Sequence, residues 1–287
     1  MALVLVLWVI TLLSVIAASF SLGVRRDAGV AHHLAQATVA EVAAEAGLRF
    51  AMLGLLHPDP ALRWVPGEPS RAFQWGDIRV QVKVTSESGR VDLNHAGRGL
   101  LERLLAAVGV EDPSRRDAVV VQILDWRDSA VGTRPGGLSR ADYRALGLPY
   151  GPANRPFQDV SELLLLPAVN ADLFRRLEPF VTTLSGQSGV DPEFAEFEVL
   201  LALMDLDAAR AEALIAERQL RWERRAQGRP DLAGGRGDVH TVTTVAESPD
   251  GVRAALRFVI EVAGQDHSEP FRILRFDPWV RDRDDAL

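Results

Sequence analysis

Apolar and polar positions change their spacing several times along this chain, and each change predicts a different element. Met1–Val24 carries no charge, and Arg25-Arg26 ends the run abruptly. A stretch this long and this apolar is enough to cross a bilayer core as a helix. Beyond it Val30, Leu34, Ala37, Val39, Val42, Ala46, Leu48 and Leu53 continue at helical spacing, with alanines between. Glu45 and Arg49 stand one turn apart in the favourable order for a helical ion pair. Nothing breaks this helix before His57-Pro58-Asp59-Pro60. Run and extension together predict one rod of roughly 80 Å at 1.5 Å per residue.

Between Phe73 and Leu93 the period becomes two. Ile78, Val80, Val82 and Val84 alternate with Arg79, Gln81, Lys83 and Thr85, which predicts a half-buried strand. Ser86–Gly89 reads as a turn and Arg90–Leu93 as a short return strand. From Asn94 to about Gln227 the spacing is helical again, with short breaks and a weak internal repeat. One copy runs from Val91-Asp92 through Leu100-Leu101 and Leu104-Leu105 to the break Val108-Gly109-Val110. A second runs from Val190-Asp191 through Val199–Leu201 to Met204-Asp205-Leu206, and a partial third from Val160 through Leu163–Leu166 to Pro167-Ala168-Val169. Each break leads into a further helix, at Ala118–Trp126, Ala208–Arg218 and Ala171–Phe180 respectively.

Arg229–Gly237 reads as a loop. Strand patterns return at Val239–Ala246, Arg253–Ala263 and Phe271–Phe276, with a hairpin turn at Pro249-Asp250-Gly251. Neither end supplies enough strands for a sheet alone. The economical fold is therefore α+β: one small antiparallel sheet built from both ends of the chain, with a large all-helical domain inserted. The expected boundaries are a membrane segment at 1–24, a helix extension at 25–57 and the first part of the α/β domain at 58–93. The inserted helical domain follows at 94–236, the closing strands at 237–280 and a charged flexible tail at 281–287.

Composition narrows the function classes. The chain of 287 residues has 47% hydrophobic content, a net charge of −7 and no cysteine. An acidic balance disfavours nucleic-acid binding, and without cysteine no disulfide or thiolate chemistry is available. Asp125-Trp126-Arg127-Asp128 is the densest polar cluster, and Asp125 and Asp128 are the candidate calcium ligands. Calcium takes six to eight oxygens, whereas Ala130 and Val131 follow here. His32-His33 point about 100° apart on a helix and cannot chelate one ion. Ser185–Gly189 lacks the spacing of a nucleophile elbow, and Arg236-Gly237-Asp238 resembles an adhesion tripeptide only in spelling. No phosphate loop, metal box or nucleophile–base pair appears, so no catalytic residue, cofactor or enzymatic role is expected.

Several segments in order resemble one family, the K-type minor pseudopilins of type II (general) secretion. Ala2–Val9 and Ser14–Ala18 are similar to its N-terminal helix. Val91-Asp92-Leu93-Asn94-His95-Ala96 resembles V-N-L-N-T-A, and Ile123–Asp128 resembles I-x-D-W-x-D. Asn154-Arg155-Pro156-Phe157 with Glu162-Leu163-Leu164 resembles N-x-P-F…E-L-L. Ser185-Gly186, Val190-Asp191-Pro192 and Glu198-Val199-Leu200 resemble S-G…V-N-P…E-V-L.

The resemblance implies a pseudopilin fold, a long N-terminal helix on a small antiparallel sheet with the helical domain inserted. It implies a bacterial inner-membrane protein, single-pass through residues 1–24, with its body in the periplasm. It implies a place at the tip of the pseudopilus, beside I- and J-type minor pseudopilins and the major pseudopilin. There it would start assembly and help export folded exoproteins. A basic leader would be cleaved just before or near Met1, and no such leader is visible. Position five is Leu5, where most pseudopilins carry glutamate; a tip subunit has no neighbour above whose amine would need that carboxylate.

Two other readings compete. A membrane-anchored helix-hairpin-helix DNA-binding protein of a competence apparatus would use the helical repeats, but Asp205 in one break would repel phosphate. A secreted enzyme would be cleaved near Ala17-Ala18-Ser19 and begin near Phe20.

Overall fold

The computed structural model describes residues 2–59, 61–129, 133–203, 207–226, 239–262 and 270–278. Its first element is helix α1, Ala2–Leu55, unbroken over 54 residues. The helix ends just ahead of the sequence breaker His57-Pro58, and Trp64 N–H then returns to the Gly54 carbonyl at 2.9 Å. Among the described residues no helix is long and apolar enough to cross a membrane. Side chains at positions 18 and 21–28 are not among those described, so the anchor expectation rests on the uncharged run itself.

Five strands make one antiparallel sheet: β1 (Arg71–Trp75), β2 (Ile78–Ser86), β5 (Val239–Glu247), β6 (Arg253–Val262) and β7 (Phe271–Asp277). Their order is β1-β2-β5-β6-β7, so a hairpin from the first part of the chain is completed by three strands from its end. The period-two pattern explains this. Val80, Val82 and Val84 of β2, Val242 and Ala246 of β5, and Leu256, Phe258 and Ile260 of β6 all join one apolar cluster.

Helix α1 lies on that cluster through Ala43, Ala44, Leu48, Ala51, Met52 and Leu55. Small residues let the helix sit close: a Cβ on Gly47 would come within 2.8 Å of Thr244 Cγ2, and one on Gly54 within 2.3 Å of the Trp64 ring. Each fully buried Leu or Met here contributes about 1.5–3 kcal/mol.

Two expectations need correction. Val91-Asp92 (β3) does not return along β2; it pairs in parallel with β4, Val181-Thr182, in a separate two-stranded ribbon. The Ser86–Gly89 segment is a single 3-10 turn whose residues are buried, so the chain is redirected into the helical block instead of folding back. The second correction is β1, which forms its own hairpin with β2 around Gly76. Gly76 has φ +61°, a left-handed conformation that glycine adopts without strain.

The helical block contains α2 (Arg98–Ala107), α3 (Pro113–Arg127), α4 (Arg140–Ala145), α5 (Ala171–Leu177), α6 (Phe197–Ala202) and α7 (Ala208–Ala226). Leucines of the repeats meet in a second apolar cluster that includes Leu101, Leu104, Leu105, Ile123, Leu163, Leu173 and Leu200. Caps set the helix starts. Asp112 accepts from Ser114 N–H with Pro113 in the first turn of α3, Ser139 and Asp142 form a capping box on α4, and Asn170 caps α5. The partial third repeat, Val160–Leu165, is a 3-10 turn rather than an α-helix. The break Met204-Asp205-Leu206, the loop 229–237, the Arg236-Gly237-Asp238 tripeptide and the tail 281–287 lie outside the described residues.

Candidate functional site: an assembly face and a clamped helical block

Helix α1 has two faces with different fates. Its sheet-facing positions are buried, while Val30, Leu34, Val39, Val42 and Leu53 on other faces are 59%, 65%, 44%, 45% and 71% exposed. Further towards the N-terminus Leu3–Leu7, Trp8, Ile10 and Phe20 are exposed as well. Exposed apolar side chains along one helix, continuous over several turns, mark a surface made for another apolar partner. His32 and His33 lie on this exposed stretch with ring centroids 6.2 Å apart and tilted.

The polar centre of the helical block is built from the segments singled out in the sequence, and they prove to be one another's hydrogen-bond partners. Asp92 is fully buried. Its Oδ1 accepts from Asn94 N–H at 2.8 Å, and its Oδ2 accepts from Gly186 N–H at 2.8 Å and Ser185 Oγ at 3.2 Å. Asn94 in turn exchanges two bonds with the Phe157 backbone, at 2.9 and 2.7 Å. Trp126 Nε1–H donates to Glu162 at 3.0 Å, and its ring stacks on Phe157. Arg127 donates to the Leu93 and Ala96 carbonyls. Four stretches far apart in sequence are thus tied into one crossing. Ser185-Gly186 closes it by cradling a carboxylate, and no base stands beside Ser185 in the contacts it makes.

Asp125 and Asp128 sit at the C-terminal end of α3. Asp125 is buried at 5% exposure. Arg134 donates to Asp125 Oδ1 at 2.8 Å and also to Asp128 Oδ2. Its guanidinium, held by both carboxylates, stays charged even more firmly than usual, the bond to Asp125 being the largest cause. Arg134 therefore supplies the positive charge between the two candidate calcium ligands, and an ion would have to displace it. Among the described residues no group of three or more His, Asp or Glu gathers to hold a metal. Nearby, burial pushes the Tyr143 hydroxyl up to about 12, with Tyr150 and Asp125 adding to the effect. Sequence reasoning looked for further acids after Asp128 and missed Arg134; the signal was the lone arginine in the Gly-Thr-Arg-Pro-Gly-Gly loop.

A second buried carboxylate joins block to sheet. Glu87 is 2% exposed. It accepts from Thr182 Oγ1 of β4 and Thr241 Oγ1 of β5, both at 2.5 Å, and pairs with Arg90 at 3.0 Å. Beside it His240 is buried with Nδ1 unpartnered. Burial pushes its imidazole down to about 4, with Glu87 only partly opposing. A further tie is the ion pair between Arg275 of β7 and Asp159 of the helical block.

Residues 82–186 match the family model for type II secretion system protein K. The chain is 32% identical over 165 residues to the type II secretion system protein K of Pseudomonas aeruginosa, covering 53% of this chain and 48% of that protein. The proteins of the same description from Pectobacterium carotovorum subsp. carotovorum and Klebsiella pneumoniae are 30% and 32% identical over 40% and 47% of this chain, and 37% and 41% of their own lengths. The matches thus span about half or less of these curated relatives. In three dimensions the chain resembles one chain of the crystal structure of the GspK-GspI-GspJ complex of the enterotoxigenic Escherichia coli type II secretion system. The TM-score is 0.58 at 17% identity, over 89% of this chain and 99% of that one; at this identity the likeness speaks for the fold. The hydrogen-bonded crossing lies almost wholly inside the matched segment, and by that segment the chain belongs to the family of type II secretion system protein K.

Proposed function

We propose that this chain is a minor pseudopilin that assembles with I- and J-type subunits at the tip of a type II secretion pseudopilus. Its role is structural: it starts the fibre, is followed by the major pseudopilin, and aids passage of folded proteins across the outer membrane. The observation that carries this reading is helix α1, which has one face sealed on a sheet and apolar side chains exposed elsewhere from Leu3 to Leu53. A subunit with such a helix is incomplete alone, and burying that surface against neighbouring helices releases free energy roughly in proportion to its area. The family match over 82–186 supports the same reading from the other domain.

The uncharged run Met1–Val24 is the proposed membrane span. It would hold the protein in the bacterial inner membrane as a single pass, with the body in the periplasm. Asp125 and Asp128 are read as a clamp closed by Arg134, with calcium a substitute for the guanidinium at most. The test is purification of the full chain in detergent after co-expression with the I- and J-type minor pseudopilins of its own organism. Size-exclusion chromatography with light scattering should give a one-to-one-to-one complex. A chain that elutes alone, beside two folded partners, would contradict the proposal.

A further inference from the structure

The sheet has a second face, and the helical block covers only one end of it. On β2 the valines point to α1, so Arg79, Gln81 and Lys83 point the other way. The register continues this face across the sheet. Arg79 stands opposite Glu247 and Lys83 opposite Thr243; Glu247 stands opposite Arg253 and Thr243 opposite Arg257. Two cross-strand rows result, Arg79–Glu247–Arg253 and Lys83–Thr243–Arg257. With strands about 4.8 Å apart and residues about 3.3 Å apart along them, four cations stand in a rectangle of roughly 10 by 13 Å.

Arg79, Arg253 and Arg257 are exposed and Lys83 is half-buried. Among the described residues no ion pair reaches Arg79, Lys83 or Arg257. Inside the rectangle the one acid is Glu247. Asp277, opposite Arg257 at the edge, is engaged by Arg275 at 3.4 Å. The patch is net positive on a chain whose net charge is −7. Like charges gathered this closely repel at some cost to the isolated subunit, and that cost is relieved by an opposite charge set against them.

We infer that this cationic sheet face docks a carboxylate-rich surface of a neighbouring subunit in the tip complex. The inference rests on the pseudopilus reading above. An anionic lipid surface is the other source of negative charge, and geometry disfavours it. The part of α1 that carries the sheet begins at Ala40, and at 1.5 Å per residue it stands about 24 Å along the helix from the end of the apolar run. That separation exceeds the Debye length of about 8 Å at physiological salt. The face also differs from the apolar face of α1 in what it contributes: register and rate of encounter, with a steep salt dependence.

The test uses the full chain with its I- and J-type partners, reconstituted in nanodiscs of phosphatidylcholine with and without phosphatidylglycerol. Binding is measured over a range of salt for the natural chain and for the triple reversal Arg79→Glu, Lys83→Glu, Arg257→Glu. A second variant, Arg79→Lys with Arg257→Lys, keeps the charge and guards against misfolding. Thermal melts check that both fold. The expected result is at least a tenfold loss of affinity at low salt for the reversal, with a flattened salt dependence, and near-natural binding for the lysine variant. Equal affinity and equal salt slope for the reversal would overturn the inference. So would an effect of the reversal that appears only with phosphatidylglycerol, which would assign the face to lipid. A natural chain that forms no complex would instead overturn the pseudopilus reading itself.

Discussion

Glu87 Oε2 accepts a hydrogen bond from Thr182 Oγ1 at 2.5 Å across 95 residues of sequence. The same carboxylate accepts from Thr241 through its other oxygen, so one buried side chain holds the helical block against the sheet. Replacing Glu87 by alanine leaves two buried hydroxyls without an acceptor and Arg90 without its partner. The expected loss is about 2–4 kcal/mol, read by urea unfolding. Glu87→Gln, which can still accept, should lose less than half as much. Equal losses would mean that the charge, and not the hydrogen bonds, carries the junction.

Gly89, in the same turn, is the tightest point of that junction. A Cβ there would lie 2.3 Å from the Phe194 carbonyl oxygen, a backbone atom that cannot swing aside. Gly89→Ala should therefore destabilise the protein by about 1–3 kcal/mol and should open the 87–94 stretch to limited proteolysis before the sheet unfolds. An alanine variant as stable as the natural chain would show that the helical block can shift freely on the sheet.

His240 sets a pH dependence whose sign follows from its burial. Its folded pKa is pushed down to about 4 from the ordinary 6.5. Between those values the unfolded chain binds a proton that the folded chain refuses, so stability falls as pH drops from 6.5 towards 4 and is level in this respect outside that window. The full cost is about 3 kcal/mol at 1.36 kcal/mol per unit. The measurement is the difference in unfolding free energy between the natural chain and His240→Gln across that range. The difference should narrow on acidification. A constant difference would place the titration on other groups.

Arg134 and the pair Asp125–Asp128 make a test of the clamp. Arg134→Ala removes the charge that faces a buried carboxylate and should cost about 1–3 kcal/mol. In the natural chain excess calcium or chelator should leave the melting temperature unchanged, since the guanidinium already engages both acids. A calcium-dependent rise in the natural chain would show that an ion displaces Arg134.

The sequence made the regular elements readable for a local reason. Strands β2, β5 and β6 bury one face, so alternation from Ile78 to Val84 marks them directly. Helix α1 has no breaker before His57, and its end falls at Leu55. Strand β1 reads Arg-Ala-Phe-Gln-Trp at an exposed edge and carries too little burial to pattern its sequence. Val91-Asp92 carries the right residues for a return strand, yet its partner lies at Val181-Thr182; pairing between distant segments leaves no local mark. The candidate site divides in the same way. The motif residues Asp92, Asn94, Trp126, Phe157 and Glu162 were visible by type and order, whereas Glu87, Arg134 and His240 owe their roles to contacts that fold-level proximity alone creates.

The most direct test of the central claim is site-specific crosslinking along α1. The chain has no cysteine, so single cysteines at Leu34, Val42 and, as a control on the helical block, Leu146 can each carry a thiol-linked photo-crosslinker. All three positions are exposed. In membranes that contain the I- and J-type subunits, Leu34→Cys and Val42→Cys should crosslink to one of them and Leu146→Cys should not. Crosslinks from Leu146→Cys alone, with none from α1, would contradict the assignment of α1 as the assembly face.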